Sequence, residues 1–315
     1  MIQAINPIKN INHNYCNSGK SLYGKNLTYS NDSVTFKGNI QANKLHPIFF
    51  LIDNVLLRSV KVSQKSFLSQ IPELQGKIKD VTIRTIDNKT LNCWDINPNQ
   101  SQKYILFLHG LSQNITHNQK LYAALNKNNY GVLALEYRGF GKNKKTKINE
   151  KLIGLDVDAA LKYLRKKTSM QNISIIGHSA GAFMAVDIAQ KKPDLGMIIL
   201  VAPINGIGSA YSNILAKTKN TYTAKFIQTL TKKYPAFIKT FDSIFKADTK
   251  LANVESPTYI IHSLYDKVVN FNAAKELSAK AKNLTGFIEL SQGGHRLDEN
   301  KIETVINVLN SHTVF

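Results

Sequence analysis

The 315-residue chain is 43% hydrophobic and 20% charged, within the globular range and long enough for one large domain or two smaller ones. Its 41 basic and 21 acidic residues leave a formal charge of +20 and a pI near 9.7, which raises nucleic acid and anionic membranes as partners. Only five of the basic residues are arginine (Arg58, Arg84, Arg138, Arg165 and Arg296), the side chain that groove readers favour, and no nucleic-acid-binding motif is present.

The lysines therefore read as a solvated surface. No nucleic acid is expected, and weak association with anionic membranes stays open. Cys16 and Cys93 offer neither a disulfide framework nor metal-ligand spacing, so no metal and no cofactor are expected. The N-terminus lacks a secretory apolar region, and the run Ile48-Phe49-Phe50-Leu51-Ile52 is too short to cross a bilayer. The expected location is the cytoplasm, with peripheral membrane contact as the alternative.

In chain order, residues 1–44 are rich in Asn, Ser and Lys and bury too little to offset chain entropy, so they read as a poorly ordered leader. From Leu45 to about Phe67 apolar residues recur at helical spacing, interrupted by Pro47. Residues 45–77 read as an amphipathic helical segment that either packs on the domain or lies on a membrane surface.

The main domain, 78–315, opens on an alternating strand at 81–86, a turn at 87–89 and a second strand at 91–96, an antiparallel hairpin. Continuous apolar runs at 104–108 and 131–135 suit strands covered on both faces. Helical patterns run from about 118 to 127 and from 156 to 166. Strands follow at 173–176 and 197–201. Two further units pair a strand at 258–261 with a helix at 273–282, and a strand at 287–290 with a helix at 297–309.

This alternation predicts an α/β fold with a mostly parallel, doubly wound sheet. Between about 204 and 252 the alternation stops. That stretch is polar and studded with aromatic residues, among them Tyr211, Phe226 and Phe241, and reads as a helical lid insert. Its aromatics either line a substrate pocket or hold the insert on the core.

One motif carries chemistry. Gly177-His178-Ser179-Ala180-Gly181 follows the apolar run 173–176 and precedes an apolar helix, the strand–turn–helix context of a nucleophile elbow. The turn is tight enough to need glycine two positions either side of Ser179, whose hydroxyl it pushes above the sheet edge.

A serine hydroxyl needs a base, an acid to orient that base, and donors for the developing oxyanion. Asp266 lies in the loop after the strand at 258–261, and His295 in the loop after the strand at 287–290. The order Ser179, Asp266, His295 is the one this kind of site requires, and all three loops leave the carboxyl ends of their strands. Asp248 is the rival acid. His178 points the wrong way to serve as base, and His262 reads as structural. Ala180 N–H, at a helix N-terminus, and Leu111 N–H, after the sharp turn Gly110 allows, are the expected oxyanion donors.

His109-Gly110, the segment Glu136-Tyr137-Arg138-Gly139-Phe140-Gly141, the elbow, Asp266 and Gly294-His295 together resemble the α/β-hydrolase superfamily. The Tyr-Arg-Gly-Phe-Gly segment and the stretch from Asp156 to Leu161 are most similar to its serine aminopeptidase-like and depalmitoylase-like branch. The resemblance covers roughly residues 78–315 apart from the insert. It implies the fold and the triad but leaves the substrate open, because this superfamily hosts many chemistries. Lys142-Asn143-Lys144 departs from the serine-containing sequence usual after that loop glycine, at the pocket wall.

The expected function is cleavage of an ester or thioester, with an amide as a further option, through an acyl-enzyme on Ser179. A small molecule or acyl group is the expected substrate. Beside it stand a membrane-surface lysophospholipase or protein depalmitoylase and, from another class, a catalytically silent binding protein that keeps the fold. The sequence carries no signal for an oligomeric state.

Overall fold

A computed structural model of the chain describes residues 27–29, 34–36, 71–111, 113–143, 149–206 and 246–312. The chain divides into two units, residues 1–55 and 56–315. In the first, strands β1 (Leu27–Tyr29) and β2 (Val34–Phe36) pair antiparallel, Leu27 opposite Phe36 and Tyr29 opposite Val34. They fall within the segment expected to be a leader, and three-residue strands are too short to register as an alternating pattern. The rest of that leader and the helix expected at 45–67 lie outside the described residues.

The second unit holds an eight-stranded sheet. Its strands are β3 (Lys79–Arg84), β4 (Thr90–Ile96), β5 (Tyr104–Leu108), β6 (Gly131–Leu135), β7 (Ile173–His178), β8 (Met197–Val201), β9 (Thr258–Ser263) and β10 (Leu284–Leu290). They lie in the order β10-β9-β8-β7-β5-β6-β4-β3. β4 runs antiparallel to both β3 and β6, and the five neighbouring pairs from β6 to β10 are parallel.

Helix α1 (Gln119–Lys127) joins β5 to β6, α2 (Glu150–Leu164) joins β6 to β7, and α3 (Ala180–Ala189) joins β7 to β8. α4 (Asp248–Leu251) precedes β9, α5 (Phe271–Ser278) precedes β10, and α6 (Glu299–Ser311) follows it. α1 packs against α6 and α2 against α3, one pair on each face of the sheet.

Every residue of β5, β6 and β8 is buried, as two-sided cover demands. Period-two alternation sends Ile105 and Phe107 of β5 into the layer under α1 and α6, with Val132, Ala134, Ile199, Val305 and Leu309. Each of these side chains except Ala134 contributes about 1.5–3 kcal/mol by leaving water.

Two boundaries differ from the sequence pattern in an instructive way. The first hairpin strand ends at Arg84, because Thr85 turns its hydroxyl to Asp87 Oδ1 at 2.5 Å and leaves Ile86 outside the sheet. α2 begins six residues before the apolar pattern at 156 suggests. Asn149 caps it by accepting the N–H of Leu152 at 2.9 Å.

The sheet register positions the loops. Leu108 pairs with Gly177, His178 with Val201, Val201 with Ile261, and Ser263 with Leu290. These parallel strands end almost level, so the segments that follow β5, β7, β9 and β10 emerge side by side at one edge. Of the insert expected at 204–252, residues 207–245 lie outside the described residues, and its last turn is α4.

Candidate active site

The chain reverses at Ser179 with φ 56° and ψ −117°, a conformation that L-residues with a Cβ rarely adopt. Two neighbours make it attainable. A Cβ on Gly177 would come within 2.5 Å of the Gly181 carbonyl oxygen, and one on Gly181 would overlap the carbonyl of Leu108 on the adjacent strand. The turn is fastened from below by Ser179 N–H donating to Val201 O at 2.9 Å. α3 starts at the next residue, so Ser179 stands at the positive end of a helix.

Three loops meet here. Ser179 Oγ lies 3.0 Å from His295 Nε2, and His295 Nδ1 lies 2.8 Å from Asp266 Oδ2. A carboxylate only accepts, so Nδ1 carries the proton and Nε2 faces the serine hydroxyl with its lone pair. Asp266 is held on its other oxygen by the backbone N–H groups of Val268 at 2.7 Å and Val269 at 2.9 Å. Burial opposes its charge, but these donors and the imidazole outweigh burial and hold the carboxyl below the usual carboxylate range. The base loop is tied down by Ser263, whose hydroxyl lies 3.0 Å from Gln292 O and 2.5 Å from Gly293 O.

The expected oxyanion donors flank the serine. Ala180 opens α3, and Leu111 sits in the turn after β5, closed by Gln113 N–H donating to Gly110 O at 3.1 Å. Among the described residues neither N–H has a protein acceptor. The turn rests on Tyr137, whose hydroxyl donates to His109 O at 3.2 Å, and His109 Nε2 faces Glu136 Oε1 at 3.1 Å.

Known proteins resemble this chain in sequence and in fold. A family model described as serine aminopeptidase, S33, matches residues 99–239. An esterase from Pyrococcus furiosus superposes with a TM-score of 0.60 at 20% identity, covering 81% of this chain and 95% of the other. The chain has the α/β-hydrolase fold. A putative lipase from Acinetobacter baumannii gives a TM-score of 0.59 at 17% identity, over 81% of this chain and 98% of the other.

In sequence, the chain is 28% identical over 194 residues to alpha/beta hydrolase domain-containing protein 17C of Mus musculus, covering 60% of this chain and 53% of that one. It is 26% identical over 200 residues to the lysophosphatidylserine lipase ABHD12 of Danio rerio, covering 59% and 50%. The chain thus spans about half the length of these curated relatives, 53% and 50%.

Other residues around this site had no assigned role in the sequence, or a different one. His262, read as structural, is fully buried with Nε2 3.5 Å from Asp266 Oδ2 and 3.3 Å from Val269 O, so it packs against the same carboxylate oxygen that faces His295. His178 turns away from Ser179 Oγ, and its two nitrogens lie 2.8 Å from His295 O and 3.1 Å from the Gln113 side chain. Its spacing gave no sign of either contact. The rival acid Asp248 is engaged elsewhere, accepting the N–H of Thr249 at 2.7 Å and lying 3.6 Å from Lys246 Nζ.

The glycine-rich segment after β6 has a structural part. Arg138 is buried, donating from Nε and its backbone N–H to Asp156 at 2.8 Å each, and from its two terminal nitrogens to Asp87 at 2.7 and 2.9 Å. Asn143, in the departure from the usual family sequence, accepts from Asn92 Nδ2 at 2.7 Å and donates to Glu136 O at 2.9 Å. It fastens this loop to β4. Lys144 lies outside the described residues.

Proposed function

We propose that the chain is a serine hydrolase that cleaves esters or thioesters by acyl transfer. The observation that carries this reading is the unbroken hydrogen-bonded path from Ser179 Oγ through His295 to Asp266, at 3.0 and 2.8 Å. Ser179 Oγ attacks the substrate carbonyl carbon while His295 Nε2 takes its proton. The imidazolium formed is stabilised by Asp266, and the tetrahedral oxyanion by the N–H groups of Leu111 and Ala180, each worth roughly 3–4 kcal/mol of barrier. Collapse expels the alcohol or thiol, which takes the proton back from Nε2. Water then repeats the sequence on the acyl-enzyme and frees the acid. Every step uses side chains and backbone of this chain.

A neighbour described as an esterase and a relative described as a lysophosphatidylserine lipase support an ester, while the matching family model is described as a serine aminopeptidase, so the amide belongs in the test. The test is labelling with a fluorophosphonate probe, together with hydrolysis of p-nitrophenyl esters of graded acyl length, acyl-CoA thioesters and aminoacyl amides. Labelling and turnover are expected from the wild type, and both vanish in Ser179→Ala. A silent binding protein with this fold would show neither.

A second reading, a lysophospholipase or protein depalmitoylase acting at a membrane surface, is favoured by one feature. Leu264 and Tyr265 are 46% and 65% exposed on the loop that carries Asp266, in a chain of net charge +20. Co-sedimentation with anionic vesicles at low salt, weakening at high salt, would support it. No binding at low salt dismisses it.

A further inference from the structure

Besides His295 itself, His178 reaches two of the catalytic loops at once. It is the last residue of β7, directly before Ser179, and only 2% of its surface is exposed. Such burial of an imidazole has to be matched by hydrogen bonds, and its two partners lie far apart in sequence. Nε2 is 2.8 Å from the backbone carbonyl of His295, and Nδ1 is 3.1 Å from the side-chain amide of Gln113. The Gln113 backbone closes the turn that presents Leu111.

A carbonyl oxygen can only accept, so Nε2 carries the ring proton and donates it to His295 O. Burial pulls the imidazole pKa down to about 3, so the ring is neutral and Nδ1 is a bare acceptor. The Gln113 atom placed 3.1 Å from Nδ1 is Oε1, which also accepts at 3.4 Å from Gly110 N–H and at 3.4 Å from Asn118 Nδ2. A bare Nδ1 therefore requires the amide to turn end for end, its oxygen and nitrogen having the same shape, so that N–H₂ donates to Nδ1 and the two longer contacts are given up.

We infer that His178 is a positioning residue, a neutral brace beneath the nucleophile that spans from the backbone of the base to the turn carrying the Leu111 oxyanion donor. It holds the spacing between His295, Ser179 and that donor without touching the reacting atoms. The inference rests on the serine-hydrolase reading for its kinetic consequence. Its geometric content, the tautomer and the two bonds, stands apart from that reading. Misplacing a catalytic group by about 1 Å costs on the order of a hundredfold in rate.

Two substitutions separate the arms. Gln at 178 puts an amide nitrogen where Nε2 was and keeps the bond to His295 O. Asn puts its nitrogen near Nδ1 and loses that bond. His178→Gln should retain kcat within about fivefold, while His178→Asn and His178→Ala lose about 10- to 100-fold in kcat at nearly unchanged KM, the scale of a positioning defect. The acidic limb of the pH–rate profile should stay in place in all three, because the ring removed was neutral. Should the position-178 variants unfold, Gln113→Leu cuts the other arm from the half-buried turn, with an expected loss of about 3- to 10-fold.

Equal activity of the Gln and Asn variants, or of Gln113→Leu and wild type, overturns the brace. Loss of the acidic limb in the variants would instead make His178 a proton carrier, and overturns it too. Nitrogen-15 NMR of the resting protein reads the ring directly, and a proton on Nδ1 or on both nitrogens also refutes it. Fluorophosphonate labelling of the wild type decides the hydrolase reading separately, so failure of one is not mistaken for failure of the other.

Discussion

Oδ2 of Asp266 lies 2.8 Å from Nδ1 of a histidine 29 residues further along the chain, and its other oxygen is committed to two backbone amides. The carboxylate is thus spoken for on both sides, and it has one orientation to offer His295. Asp266→Asn keeps the shape but can turn an N–H toward Nδ1, which favours the wrong imidazole tautomer. We expect kcat to fall about 10⁴-fold with the fold intact, measured as steady-state ester hydrolysis beside a thermal melt. A loss under tenfold would place the orienting acid elsewhere.

The elbow glycines carry a stability prediction. Gly181→Ala drives a methyl group into the Leu108 carbonyl, which belongs to a central strand and cannot swing aside as a side chain could. A cost of at least about 2–3 kcal/mol follows from overpacking of this kind, with Ser179 displaced as well. Denaturant unfolding checks it, and a variant within 0.5 kcal/mol of wild type, the range of ordinary surface changes, would contradict the packing.

Arg138 sets a second stability test. Its guanidinium is shared between Asp156 and Asp87, and it is almost wholly buried. Arg138→Met strands a buried Asp156 carboxylate without a counter-charge, so a loss of about 3–5 kcal/mol is expected in chemical denaturation. Activity per folded molecule should change far less than stability, because this cluster touches none of Ser179, Asp266 and His295.

Stability should also fall on mild acidification. Burial pulls the pKa of His178 to about 3, and burial lowers that of His262 as well, from an ordinary value of 6.5. Below pH 6.5 the unfolded chain takes up protons that the folded chain refuses, so stability is complete above that pH and declines as pH drops toward about 3. One such group contributes at most about 1.4 kcal/mol per pH unit. Asp266 and Asp87, both held below the usual carboxylate range, add a second loss once the pH passes below 3.8. A melting temperature flat from pH 7 to 4.5 in wild type would refute the neutral, buried histidines, and His178→Gln should flatten part of the slope.

Much of this was legible in the chain itself. Strand β5 was readable because five consecutive apolar residues can only be covered on both faces, and the elbow because Gly177 and Gly181 are spaced around Ser179 as a tight turn demands. Asp266 and His295 could be named because each follows a strand whose carboxyl end faces the same edge. The β1–β2 pair could not, since three residues do not complete an alternating pattern.

What local pattern could not encode were the bonds between side chains far apart in sequence. Period and spacing report which face of an element a residue occupies, and they fix no partner across the sheet. The choice of His178 to reach His295 O and Gln113, and of Arg138 to join Asp87 to Asp156, arose only when the parallel register set the strand ends side by side. Burial then forced each polar group to take whatever partner the packed chain had brought within reach.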